Sequence, residues 1–283
     1  MPLLERAWQL RTRCFPSVIG FVRPTNTLAV SLTGTACALD CAHCGRHYLR
    51  GMVAVEHANP AGMTSCLVSG GCDRSGRVPV QAHADRVSEL RVGRSMNWHV
   101  GMITESEIEA IASQVDVVSF DFVVDEDTIR EVYGLSYTAA DYLRTYEMLR
   151  RHARVIPHLT LGLRAGEFHG EYRALDALLR AGLEALVVLV FIPTAGTRYA
   201  DCSPPALGKV VQFLADARCA LPRAPVYLGC MRPGGTYRQD LDALAVRAGA
   251  NKIVNPARSA LQTASELGLK AQWESECCAM RSP

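Results

Sequence analysis

The sequence predicts an α/β protein, a parallel β/α barrel of eight strands. Three observations carry that expectation. Eight apolar or β-branched runs of strand length recur along the 283 residues, at 27–32, 66–69, 96–100, 115–120, 155–161, 185–192, 226–228 and 252–254. Helix-period segments lie between them, at 80–92, 105–113, 139–152, 171–181, 205–217, 237–248 and 257–267. Strands alternating with helices in this way pair in parallel, and closing the sheet removes its edges. The start and stop signals agree: Thr104 precedes Glu105 and Glu107, and Thr138 precedes Asp141, as hydroxyl caps do. Gly182, Gly249 and Gly268 stand where helices should end. The run at 185–192 is apolar throughout, as befits a parallel strand covered on both faces. No Pro/Ser-rich linker and no internal repeat divides the chain. The expected organisation is a helical extension over 1–24, the barrel over 25–268, and a cysteine-bearing tail over 269–283.

Composition narrows the function classes. A net charge of +2 leaves no nucleic-acid footprint. The longest apolar run, 185–193, is far too short to span a bilayer, and residues 1–13 lack the apolar centre of a signal peptide. Eleven cysteines, an odd count, argue against a purely disulfide framework and for a reducing, cytoplasmic setting.

The richest motif directly follows the first strand: Cys37-Ala38-Leu39-Asp40-Cys41-Ala42-His43-Cys44. Three thiolates in a C-x3-C-x2-C loop can hold one face of a 4Fe–4S cube and leave its fourth iron open. A structural zinc knuckle is the plainer alternative, but closed zinc sites take four ligands, and His43 between two of the cysteines is poorly placed to be one. The spacing resembles the signature of the radical S-adenosylmethionine (SAM) superfamily, in which SAM chelates the open iron and is reductively cleaved. Barrel active sites gather at the C-terminal strand ends, and the other motifs fall there. Ser69-Gly70-Gly71 closes the second strand and resembles the superfamily's glycine motif, which contacts the SAM amino group. Gly162, with Gly166-Glu167 after the fifth strand, resembles its adenine-supporting element with looser spacing; Gly162 and Glu167 are the implied contacts. Pro193-Thr194-Ala195-Gly196-Thr197 matches an ending that recurs in these barrels.

The last two strands narrow the resemblance to biotin synthase and its relatives, including hydrogenase-maturation and pyrrolysine-pathway enzymes. Arg232 falls where biotin synthase places an arginine ligand to its second cluster, and Asp121 matches a polar residue expected at the SAM ribose. Asn97 and Ile156, however, occupy positions that carry cluster cysteines in biotin synthase, so its 2Fe–2S cluster cannot form in the same way. Five segments look like the two-protein lipoyl synthases: residues 31–37, 68–73, 76–79, 229–233 and 276–278. That resemblance, running from about residue 25 to the C-terminus, implies radical SAM insertion of one sulfur, at carbon 6 or carbon 8 of an octanoyl chain on a lipoyl carrier protein such as an H-protein or E2-type domain. It further implies a second radical SAM partner enzyme, a reducing electron donor, and a sacrificial auxiliary 4Fe–4S cluster. Cys230, Cys277 and Cys278 are its expected ligands, and Cys72, Cys66, Cys14 or a non-cysteine group such as Arg232 is open as the fourth.

Plainer readings stand beside these. Cys66, against Leu67 and Val68, reads equally as an inert buried thiol. Cys14, Cys202 and Cys219 read as non-functional, Asp121 as a simple strand-end carboxylate, and His99 and His158 as core histidines. Three function classes follow: sulfur insertion, another radical SAM reaction on the same barrel, or a non-catalytic iron–sulfur or zinc protein. A complete SAM pocket argues against the last.

Overall fold

The computed structural model describes residues 3–280. In chain order its strands are β1 (Val18–Val22), β2 (Thr27–Ser31), β3 (Val53–Ala54), β4 (Ser65–Ser69), β5 (Ser95–His99), β6 (Val117–Asp121), β7 (Val155–Leu161), β8 (Leu186–Val190), β9 (Val226–Leu228), β10 (Lys252–Val254) and β11 (Lys270–Glu274). Its helices are α1 (Leu3–Cys14), α2 (Ala84–Arg91), α3 (Glu105–Ile111), α4 (Glu126–Thr128), α5 (Ala139–His152), α6 (Glu171–Ala181), α7 (Leu207–Ala220), α8 (Gly235–Arg247) and α9 (Arg258–Glu266). Each strand pairs in parallel with a neighbour.

All eight expected strands form, but the count is corrected to eleven among the described residues. The three additions carried weak sequence signals. β3 is two residues long, β1 follows directly on a helix, and β11 reads Lys-Ala-Gln-Trp-Glu with no apolar alternation because its first four residues are exposed. Parallel pairing with β1 holds β11 extended, with Val18 opposite Lys270 and Val22 opposite Glu274. The expected caps are present. Thr104 and Glu107, and Thr138 and Asp141, form reciprocal capping boxes that satisfy otherwise orphaned helix amides.

The chain divides into two compact units. One comprises Thr25–Pro157, Thr194–Asp201 and Ala279–Pro283; the other comprises Met1–Pro24, His158–Pro193 and Cys202–Cys278. In the first, strand order is β3-β2-β4-β5-β6. Ser31 lies opposite Ser69, so the segments leaving β2 and β4 emerge side by side. In the second, the order is β7-β8-β9-β10-β1-β11. Leu228 faces Ile253, Val22 faces Val254, and Val22 faces Glu274, which brings the ends of β9, β10, β1 and β11 level. β8 is buried along its whole length. Among the described residues, no helix is long and apolar enough to cross a membrane.

Candidate metal-cluster sites

In the first unit, a hydrogen-bonded turn launches the cysteine loop. The Ser31 hydroxyl donates to the Gly34 carbonyl (2.7 Å), and the Thr33 hydroxyl donates to that of Ala36 (2.8 Å). Thr33 Oγ1 also accepts from the Gly71 N–H at 2.7 Å, tying the loop to the segment after β4. The Ala38 N–H then donates to the Cys72 carbonyl (2.8 Å), and the Cys72 N–H points at Cys37 Sγ (3.3 Å). Farther on, the amides of Cys44 and Gly45 both donate to the Cys41 carbonyl. Ala42 is fully buried, its N–H bonded to the Val132 carbonyl and its carbonyl accepting from Tyr199. Arg198 spans the Asp40 and Glu131 carbonyls at 3.2 and 3.0 Å. The loop lacks regular structure but is fixed at both ends and in the middle.

Glycine is required where this loop meets β4. A Cβ on Gly71 would lie 1.9 Å from the Ala36 carbonyl oxygen and 2.6 Å from Cys37 Cβ, so backbone passes backbone at a distance only glycine allows. The closest approach at Gly71 is thus made by the cysteine loop itself. A Cβ on Gly70 would meet Thr33 Oγ1 at 3.2 Å, and the Ser69 hydroxyl donates to the His99 carbonyl (2.9 Å).

The electrostatics fit a site that needs a cation. Burial first, then the neighbouring Cys44, Cys37 and Cys72, push the Cys41 thiol up to about 12. Burial, Cys37, Asp73, Asp121 and Cys44 do the same to Cys72, also to about 12. Thiolates crowded in this way are stabilised by a bound metal centre, whose uptake releases their protons. As they stand, the loop thiols are not gathered for a single zinc ion. Tetrahedral thiolates at ~2.3 Å from zinc lie about 3.8 Å apart. Among the described residues, however, the only Cys, His, Asp or Glu trio with all ligand atoms within 4.8 Å of one another is Glu105, Glu109 and His152. Three wider-spaced thiolates suit a polynuclear cluster, each on its own iron. Among the described residues, His43 is not gathered with two loop thiols within reach of one ion. Its ring meets Tyr133 edge-on at 5.8 Å, and burial lowers its pKa to about 4, leaving a neutral ring with a buried, unpartnered Nδ1.

Asp121, at the end of β6, lies 3.7 Å from His99 Nε2, and its charge reaches Cys72 and His43. β-sheet register brings it to the same end as the cysteine loop. Beside that loop opens a cavity of about 560 Å³ lined by Thr35, Asp40, Gly45, Arg46, Arg50 and Gly196. The two arginines were not singled out from the sequence; only their position just after Cys44 could have drawn attention to them. Asn97 and Ile156 are both buried, Asn97 accepting from the Ser119 hydroxyl (3.0 Å).

In the second unit, Gly162 follows β7 with φ of +69° and donates its N–H to Glu171 Oε1 (2.9 Å). Glu171 also accepts from the amides of His169 and Gly170, so this carboxylate organises the turn. Glu167 is exposed and pairs with Lys209 at 3.0 Å. The sequence pattern drew attention to Glu167; Glu171 lay four residues on, outside the motif spacing.

A second thiol group gathers in this unit. Cys277 hydrogen-bonds Cys278, an interaction that, with burial, raises the Cys278 thiol well above its ordinary value. Cys230 lies within electrostatic reach of both, and the protein mass around it raises its thiol although it retains accessible surface. Lys252 is the opposing charge: it favours the Cys278 thiolate, is almost buried, and pairs with Glu274 at 2.5 Å. Level strand ends explain the grouping, because Cys230 follows β9 and Cys277 follows β11.

The fourth-ligand candidates separate. Cys72 lies with the first thiol group, Cys66 is fully buried in β4, and Cys14, exposed at the end of α1, acts electrostatically on Arg218. Arg232 is corrected from possible ligand to framework. It is wholly buried, with Nε and one terminal nitrogen on the Asp242 carboxylate (2.6 and 2.8 Å), and it also donates to the carbonyls of Gly229 and Asn255. Four of its five N–H groups are engaged in this framework.

No protein-family model matches the chain, and no curated protein sequence does. Solved structures do. Methylornithine synthase (PylB) superposes with a TM-score of 0.69 at 12% identity, covering 95% of this chain and 88% of that one. The FeFe-hydrogenase maturase HydG from Carboxydothermus hydrogenoformans gives 0.70 at 14% identity, covering 99% and 73%. Likeness at such identity is one of fold. The chain has the parallel β/α fold shared by methylornithine synthase and HydG.

Proposed function

We propose that this protein is a radical SAM enzyme that inserts one sulfur atom into an octanoyl chain carried on a lipoyl protein. The observation that carries the reading is the pair of thiol groups, Cys37/Cys41/Cys44 in one unit and Cys230/Cys277/Cys278 in the other, on a fold whose neighbours are radical SAM enzymes. Cys37, Cys41 and Cys44 would hold a 4Fe–4S cluster, which with SAM supplies a 5′-deoxyadenosyl radical strong enough to take hydrogen from an unactivated carbon. Cys230, Cys277 and Cys278 would hold an auxiliary 4Fe–4S cluster, the source of the inserted sulfur.

The chain's own residues do the remaining work. The backbone ties at Thr33, Ala38 and Ala42 fix the first thiols. The Cys72 amide, directed at Cys37 Sγ, stabilises negative charge on that sulfur. Ser69, Gly70 and Asp121 lie at the same strand ends, where they would bind SAM, and Gly71 seats the cysteine loop beside them. Lys252 offsets thiolate charge beside the second group. The proposed setting is cytoplasmic, with a reducing electron donor and a second radical SAM enzyme completing the other insertion.

The test is anaerobic turnover with SAM and an octanoylated lipoyl domain, read by mass spectrometry. A product with a single added sulfur is expected, with little turnover of free octanoic acid. Comparable turnover of the free acid, or complete dithiolation by this chain alone, would overturn the reading. The second reading is another radical SAM reaction on the same fold, such as a rearrangement. That reading gains if active enzyme holds one cluster only.

A further inference from the structure

Cys72 is not accounted for by either proposed ligand set. Its backbone is committed: the carbonyl accepts from Ala38, and the N–H is directed at Cys37 Sγ. Any residue could make those bonds, so they do not explain a thiol. Cys72 is held among the loop thiols: Cys37 Sγ lies 3.3 Å from its amide nitrogen and 3.8 Å from its carbonyl oxygen, Cys37 and Cys44 act on its thiol, and Cys72 acts on Cys41. Cys66, three residues before Ser69 in β4, offers the contrast. It is fully enclosed within β4, without a thiol among the groups acting on it, as an inert apolar-core cysteine is. Cys72 instead keeps partial exposure and sits beside Asp73 in a polar surround. Gly71 brings it there, because contact of the Gly71 backbone with Cys37 leaves the next residue alongside the triad.

We propose that Cys72 is an exchangeable fourth thiolate of the first cluster, closing the open iron while SAM is absent and leaving when SAM binds. The inference rests on a cluster being held by Cys37, Cys41 and Cys44. On exchange, the iron–sulfur bond to Cys72 breaks, and the thiolate departs with its electron pair. A nitrogen or oxygen donor of SAM forms the new bond. Cys72 then takes up one proton, from the SAM ammonium where the amino nitrogen is the new ligand, or otherwise from water. No electron is transferred. Cys72 would protect the exposed iron from loss and compete with SAM for it.

The test uses full-length, anaerobically reconstituted wild type, Cys72→Ala and Cys72→Ser. Mild oxidation without SAM is followed by electron paramagnetic resonance for the three-iron cluster left when the open iron departs, and the SAM Kd is measured by equilibrium dialysis. Relative to wild type, Cys72→Ala should lose its fourth iron at least about tenfold faster and bind SAM about tenfold more tightly, equivalent to ~1.4 kcal/mol. Added SAM should erase the difference in iron loss. Should Cys72→Ala take up no iron, Cys72→Ser, closer in volume, is read in its place. Equal rates and equal affinity in the variant that loads, or failure of both variants to load while folded, would overturn the proposal. Cys37→Ala is the separate arm: if it retains the first cluster, the cluster assignment itself fails, whatever Cys72 does.

Discussion

Replacing Gly71 with alanine should dismantle the first cluster site without unfolding its unit. The φ of Gly71 is not in the left-handed region, so alanine carries no dihedral penalty there. The whole cost is steric. The new methyl would stand 1.9 Å from the Ala36 carbonyl oxygen, about 1.1 Å short of the 3.0 Å below which real Cβ atoms are essentially never found. It would also press on Cys37 Cα and Cβ at 2.7 and 2.6 Å. The Ala36 backbone on one side and Cys37 on the other leave no flexible side chain to yield, so the Cys37 segment must move by about an ångström. Overpacking of this kind costs ~1–3 kcal/mol. A displacement of that size at a reacting centre lowers rates by about 10²-fold. The assays are iron per chain after anaerobic reconstitution and 5′-deoxyadenosine formation, with circular dichroism as the fold control. Gly70→Ala, whose methyl would come no closer than 3.2 Å to the Thr33 hydroxyl, should be far milder. Full iron loading in Gly71→Ala, with SAM cleavage within about threefold of wild type on the ~10² scale expected, would refute the steric reasoning.

Further outcomes follow from the same geometry. Cys37→Ala, Cys41→Ala and Cys44→Ala should each abolish reductive SAM cleavage while the circular dichroism spectrum is kept; normal 5′-deoxyadenosine production in any of them contradicts the assignment. Deleting the chain after Ser275 removes two of the proposed auxiliary ligands, so it should leave SAM cleavage but no carbon–sulfur bond formation. Asp242→Ala strands the buried Arg232 guanidinium and removes the acceptor of the Ala257 amide, and should cost ~3–5 kcal/mol by chemical denaturation. Combining Arg232→Met with Asp242→Leu should recover much of that loss; a double variant no better than the single would show that the ion pair itself holds the strand ends.

Much of the fold was legible because parallel strands advertise themselves. β7, β9 and β10 form over the residues expected, and the exposed helix starts at Thr104 and Thr138 were readable from hydroxyl and carboxylate spacing alone. β11 was not, because an exposed edge strand needs no apolar face, and only pairing with β1 defines it. The same limit applies to the sites. The loop cysteines lie within eight residues and could be read locally, whereas Cys72 joins them across 35 residues through the matched ends of β2 and β4. Lys252 read as an ordinary strand residue, but its amine reaches past Gly20 of β1 to Glu274 and lies near the tail thiols. Arg232 showed the reverse case: its place in the sequence suggested a ligand, and burial against Asp242 assigns it to the framework.

The most direct measurement is iron and sulfide content of the anaerobically reconstituted chain, compared with its Cys230→Ala/Cys277→Ala/Cys278→Ala variant. Two cubanes correspond to about eight irons per wild-type chain, and the variant should keep about four and still cleave SAM. About four irons in active wild type, or sulfur insertion surviving the triple substitution, would contradict the two-cluster enzyme.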